Sequence, residues 1–270
     1  MRTVPAVQGV QWAIAALRIL ARHFGLLITL ALLLVLLTQI PLLGGLISLL
    51  FGPALLGGMV WAVHQIQNGR RPGLGALFKA FDGTHSISSL VALCLPSLGM
   101  LLLLAFAVGG IMVASVGGDP AKIQAMRQDP IMLLAALRGH LLPLAILVVL
   151  GSLLNSALTF FAVPQVMLRN QTGWMGMRQS LAAAWSNWRA LLLLVGAVFG
   201  LVFATVLALQ LLLMAGGSLG AWWRDLWLLL LVATLYAYSA VLMYVAWHDV
   251  LDESPTGPAL TTSSEIHAEM

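Results

Sequence analysis

The sequence predicts an all-α, polytopic transmembrane helical bundle of about six spans, with three amphipathic interfacial helices on its cytoplasmic side. Of 270 residues, 61% are hydrophobic and 8% charged, whereas about a quarter of the residues in a soluble domain carry charge. Six apolar runs come near or above the length that crosses a ~30 Å hydrocarbon core. A short basic segment followed directly by a long apolar stretch occurs three times, at 9–24, 72–85 and 173–188.

The spans fall at about 24–40, 42–65, 90–116, 141–168, 190–215 and 226–247. The first is the shortest. Only residues 39–45 separate it from the second, and Pro41, Gly44 and Gly45 there permit the tight turn of a helical hairpin. No polar segment is long enough to build a soluble core. Residues 1–253 therefore read as one integral membrane domain in three units, about 1–66, 67–168 and 169–250. Ser254, Pro255, Gly257 and Pro258, followed by a Thr-Thr-Ser-Ser run, predict a disordered cytoplasmic tail over 254–270. At the other end, Arg2, Arg18 and Arg22 ahead of an apolar run resemble a signal peptide, but no small-x-small cleavage site follows, so the segment is expected to be retained.

Basic residues set the expected orientation. With the N-terminus in the cytoplasm, Arg2, Arg18, Arg22, Arg70, Arg71, Lys79, Arg169, Arg178 and Arg189 lie inside, against Lys122, Arg127, Arg138 and Arg224 outside. Six spans return the C-terminus to the same side and put all three basic segments on one face. Five or seven would break that agreement.

Helical periodicity supports the segments. In the first, Gln11, Ala15, Arg18 and Arg22 share one face and Val10, Ala13, Leu17, Leu20 and Phe24 the other. In the third, Trp174, Met177, Leu181, Trp185 and Trp188 form the apolar face, with tryptophans suited to a headgroup boundary. The second sets Leu74, Leu77, Phe78 and Phe81 opposite Lys79 and Asp82, after Pro72-Gly73. The first and third superpose at an offset of 164: Gly9 falls on Gly173, Leu17 on Leu181, Phe24 on Trp188, and Arg22-His23 on Ser186-Asn187. Such a repeat would be parallel rather than inverted.

The opening Arg2-Thr3-Val4-Pro5-Ala6-x-x-Gly9-x-x-Trp12, the Phe51-Gly52-Pro53-Ala54-Leu55 stretch and Ser180-x-x-Ala183-x-x-x-Asn187-Trp188 resemble an uncharacterised family of proteobacterial polytopic inner-membrane proteins. The likeness covers essentially the whole chain. The plan of amphipathic helix then hairpin is also similar to the membrane domain attached to some glycerophosphodiester phosphodiesterases. The family resemblance implies a location in the bacterial inner membrane and no activity, so it transfers no catalytic residue.

Small residues mark expected packing seams, because they let backbones approach where lipid removes the hydrophobic incentive to associate. Gly196, Gly200, Ala204 and Ala208 recur along the fifth span; Gly44, Ser48 and Gly52, then Ala54, Gly58 and Ala62, mark the second; Gly110, Ala114 and Gly118 mark the third. They are expected to hold one bundle together.

Candidates for chemistry are few. No Asp, Glu, Lys or Arg falls centrally in an assigned span, which weighs against proton-coupled transport, voltage sensing and carboxylate-dependent intramembrane hydrolysis. Asn155, beside Ser152 and Ser156, is the expected intramembrane polar contact, as an interhelical hydrogen bond rather than a substrate ligand. Pro53, Pro96, Pro143 and Pro164 are positions for kinks. His248 and Asp252 share a helical face and suit a divalent cation on paper, as do Asp82 and His85, but frayed, solvated ends explain both. Cys94 reads as a small buried hydrophobe. No catalytic triad, phosphate loop or zinc spacing occurs. Thus no catalytic residue, cofactor or metal is expected. Residues 117–140, with Met126, Ile131, Met132, Leu133, Leu134 and Leu137, suggest a connector that partly lies as a helix on the outer surface.

The net charge of +4 does not imply nucleic acid, since the basic residues sit at membrane boundaries rather than in one patch. The expected partner is anionic membrane phospholipid, contacted by Arg18, Arg22, Arg70, Arg71, Lys79, Arg178 and Arg189. The functional expectation is a non-enzymatic scaffold, assembly or lipid-organising protein; the alternative is an uncoupled transporter or channel for a small or amphipathic solute.

Overall fold

A computed structural model describes residues 2–41, 43–83, 87–215 and 221–252. The predicted tail, 254–270, lies outside the described residues. Among the described residues five helical stretches are long and apolar enough to cross a membrane: Leu43–Gln67, Ile87–Ser115, Ile131–Arg169, Trp188–Ala208 and Asp225–Val250. The chain is a multi-pass helical membrane protein.

The expected first span is where the six-span scheme is weakest. Helix α1, Gln8–Arg22, turns through 96° at His23 into α2, Phe24–Thr38, and only the two together are long enough for one bent span. Alone, the 15 residues of α2 reach ~22 Å, short of the ~30 Å core. Yet α2 is among the best-packed elements: Leu27, Leu30, Ala31, Leu34 and Val35 are buried.

The turn after α2 uses its glycine as expected. The Gly44 N–H donates to the Ile40 carbonyl at 2.7 Å, and a Cβ at Gly44 would overlap the Thr38 carbonyl. The short α3, Leu43–Leu46, and a single π-helical turn, Ile47–Phe51, lead into α4, Gly52–Gln67. Pro53 lies in the first turn of α4, where its missing N–H leaves no helix bond unmade.

The second basic segment differs from expectation in kind. Leu74–Phe81 is a 3₁₀ helix, not an α-helix. Leu77 and Ala80, three apart, share the buried face of the three-residue turn, whereas Leu74, at the first position of the helix, is exposed. It lies so close on α4 that a Cβ at Gly58 would overlap the Leu77 carbonyl. The Ala54, Gly58 and Ala62 seam is therefore a true close approach.

After α5, Ile87–Ala92, and α6, Leu95–Ser115, come two short helices, α7, Pro120–Gln128, and α8, Pro130–Leu137. Each starts with proline behind an aspartate cap. Asp119 accepts from the Ala121 N–H at 3.0 Å and Asp129 from Ile131 at 2.8 Å, satisfying first-turn donors that otherwise lack partners. Helix α9, Leu141–Thr159, breaks at Phe160–Phe161 into α10, Ala162–Arg169, just ahead of Pro164. Ser180 repairs the break, accepting from the Phe161 N–H at 3.1 Å and donating to the Ala157 carbonyl at 2.7 Å. Ser180 lies in α11, Gly173–Ser186, which leads into α12, Trp188–Ala215, and α13, Ala221–Val250.

Two relations organise these elements. The returning arms α4, α10 and α13 pack on one another and form the centre. Around them, each basic segment lies against a hairpin: the 3₁₀ helix on α2 and α4, α11 on α9 and α10 of one arm and α5 of the other, and α1 on α12 and α13. The second and third thus pack on the hairpin just before them in sequence, and α1 closes the ring on the last. The offset of 164 also relates two backbone breaks. His23 breaks α1 from α2 at φ −122°, ψ 29°, and Asn187, 164 residues on, breaks α11 from α12 at φ −119°, ψ 25°.

Candidate functional site

One cluster of polar side chains lies where the two ends of the described chain meet. Asp249, the penultimate residue of α13, is the centre. It accepts from Trp12 Nε1 and Gln8 Nε2, each at 2.8 Å, and Arg2 Nη1 stands 3.9 Å from its other oxygen. The Arg2 N–H donates to the Val250 carbonyl at 3.0 Å. Asn187 makes the second tie: its Oδ1 accepts from the Val4 N–H at 2.8 Å, and its Nδ2 donates to the carbonyls of Arg2 and Ala183 at 3.2 and 3.0 Å. Gly9 completes the junction, since a Cβ there would overlap the Ala190 carbonyl of α12.

Beside this closure, Arg169 Nη2 of α10 pairs with Asp252 Oδ1 at 2.7 Å, and His248 Nε2 lies 3.6 Å from the other Asp252 oxygen. The Arg169 guanidinium also sits 5.6 Å over the Trp247 ring. A carboxylate already neutralised by a guanidinium is a poor ligand for a divalent cation, so the geometry answers the His248–Asp252 spacing against metal. Among the described residues no group of three or more metal-capable side chains occurs. Asp82 pairs with Lys79, and His85 lies outside the described residues. The buried Gln165 Oε1 and Trp247 Nε1 have no protein partner among the described residues and are places for water rather than for chemistry.

The residues expected to touch lipid do not form one site. Arg18 and Arg22 are exposed on α1, Arg178 on α11, and Arg70 and Arg71 after α4. Lys79 differs, being half-buried, paired with Asp82 and placed 5.3 Å over the Trp61 ring. Arg189 is exposed at the start of α12, 5.4 Å over the Trp188 ring. Asn155 Oδ1 accepts from Ser97 Oγ at 3.0 Å, joining α9 to α6.

Two of the segments bury a stripe other than the apolar face read from the sequence. In α1 the buried stripe is Gly9, Trp12, Ala13, Ala16 and Leu20, while Leu17 and Phe24 of the expected apolar face are exposed. In α11, Met177 turns inward with Gly173, Gly176, Ser180 and Ala183, and Trp174 and Trp185 are 76% and 81% exposed. A helix between protein and lipid has two apolar sides, and hydrophobicity alone does not say which meets which. The inward sides carry the small residues that allow close approach.

Comparison with protein-family models, with curated proteins and with solved structures finds no match. Function therefore rests on the chain's own chemistry. Sequence reasoning gave Asp249 no role and met Asn187 only within a motif and in the offset pairing. Their partners lie 237 and 183 residues away in the chain, beyond the reach of any local pattern.

Proposed function

We propose that this chain is a bacterial inner-membrane protein, of the uncharacterised proteobacterial kind its motifs resemble, that organises anionic phospholipid or scaffolds an assembly without chemistry of its own. Both termini are cytoplasmic in this reading. The observation that supports it is the outer face of α11 and its continuation. Trp174, Trp185 and Trp188 are more than half exposed, alternate with the exposed Arg178 and Arg189, and lie at the end where the described chain closes on itself. Exposed indoles beside cations fit a headgroup layer, which is apolar on one side and anionic on the other.

The reading is tested with the quadruple variant Arg18→Gln, Arg22→Gln, Arg178→Gln, Arg189→Gln. In nanodiscs of mixed phosphatidylglycerol and phosphatidylcholine, enrichment of the anionic lipid around the protein should fall, each charge contributing ~1 kcal/mol. An unchanged lipid profile would sink the proposal.

A further inference from the structure

Between the N-terminal segment and the α11–α12 break lies a hollow of about 320 Å³, lined by Val4, Pro5 and Ala6 on one side and by Ser186, Asn187, Trp188 and Arg189 on the other. We propose that this hollow seats the phosphate headgroup of one anionic phospholipid per chain. The inference rests on the lipid reading above and adds to it a place and a stoichiometry.

Charge complementarity carries the argument. Arg189 is the one charged residue among those lining the hollow, and no carboxylate opposes it. Its guanidinium lies over the Trp188 ring at 5.4 Å. A stacked guanidinium keeps a restricted orientation with its donor fork free, and that fork matches two phosphate oxygens at once. The other polar group in the wall is already committed. Asn187 uses both ends of its amide on Val4, Arg2 and Ala183, so it shapes the hollow by holding the N-terminal segment in place and leaves the anion to Arg189.

Size and surroundings point to a lipid rather than a free phosphate ester. The volume lies at the low end of the ~300–1,000 Å³ of small-molecule pockets, enough for a headgroup but not for acyl chains. The chains have their own place, because α12 continues from the hollow with Leu192, Leu193 and Val195 exposed. Trp188, half exposed at the rim, stands where an indole marks the junction of headgroup and hydrocarbon.

The first unit supplies an internal control. Its break at His23 has the same backbone, but Gly25 stands where Arg189 does, and Arg22 where Ser186 does. It carries charge without a residue at the Arg189 position that could stack as a guanidinium.

The test is native mass spectrometry of the full-length protein in mild detergent, titrated with phosphatidylglycerol or phosphatidylcholine, with sn-glycerol 1-phosphate as a soluble competitor. The wild type should retain one phosphatidylglycerol in preference to phosphatidylcholine. Arg189→Gln should lower that occupancy about tenfold, the loss of a charge-assisted contact, and Arg189→Lys should recover part of it. Lys122→Gln, an exposed charge on α7 that does not line the hollow, should leave it within about twofold. If Arg189→Gln retains the lipid like a wild type that prefers phosphatidylglycerol, the site is wrong while the lipid reading stands. If the wild type shows no preference, the reading itself fails. Displacement by millimolar glycerol phosphate would overturn the lipid as occupant in favour of a soluble phosphate ester.

Discussion

The two ends of this molecule are built on different terms. At the end where the described chain closes, α1, α2, α4, α10 and the last turns of α13 bury Trp12, Leu27, Met59, Phe161 and Met167 almost completely. Toward the other end the same chain splays. Phe106 of α6, Leu142 of α9 and Phe199 of α12 are each more than 70% exposed. The sequence is about equally apolar in both regions. Exposed apolar surface on that scale is stable only where the solvent is itself apolar. In the packed region glycine and hydrogen bonds hold backbones together; in the splayed region the described helices meet few neighbours.

Glycine gives the sharpest way to break the comparison. Gly58→Leu places a side chain against the Leu77 backbone, and should destabilise the protein by more than ~3 kcal/mol, at or beyond the top of the usual overpacking range. A loss of the monodisperse species on size exclusion in detergent would report it. Gly200→Leu, where a Cβ meets nothing within 4 Å, should leave the thermal midpoint unchanged. Were it equally damaging, the outer face of α12 would be packed in the assembled protein, and the contrast between the ends would be wrong.

The next largest effect is expected at the closure. Asp249→Ala leaves the buried Trp12 indole N–H without its acceptor and removes the Gln8 bond as well, a loss of ~2–3 kcal/mol for an orphaned buried donor and its neighbour. Asp249→Asn, which keeps an acceptor, should recover part of it in the same melt. Ser180→Ala should follow at ~1–3 kcal/mol, because the Phe161 N–H is buried with no other partner. If Ser180→Ala melts like wild type, the α9–α10 break is held by packing alone. Asn155→Leu should cost least, about 0.6 kcal/mol, the average for an interhelical hydrogen bond in a membrane. A loss as large as that of Asp249→Ala would mean that the outer hairpin is as tightly specified as the packed end.

Much of the architecture was legible because membrane length and periodicity are local. Apolar runs announced the long helices and Pro41 with Gly44 the first turn, and the offset of 164 pairs His23 with Asn187, which have similar backbone angles. The small-residue rule worked in part. It located the Ala54–Gly58–Ala62 seam, yet the Gly196, Gly200, Ala204 and Ala208 stripe is exposed in the structure. A glycine permits close approach without demanding it. The first span was read at 24–40 and α2 runs over Phe24–Thr38, but the 96° turn at His23 that sets it against α1 leaves composition untouched.

By itself the sequence determined that this chain lives in a membrane, that its long helices are apolar on all sides, and where its cations fall, because solvation by lipid acts residue by residue. Only the tertiary structure decided which apolar face of α1 and α11 meets protein, that α1 closes the ring on α12 and α13, and that Asp249 and Asn187 are the residues of that closure. Lipid and protein interior are alike to an apolar side chain. What tells them apart is a partner brought from more than 180 residues away, and no local pattern encodes it.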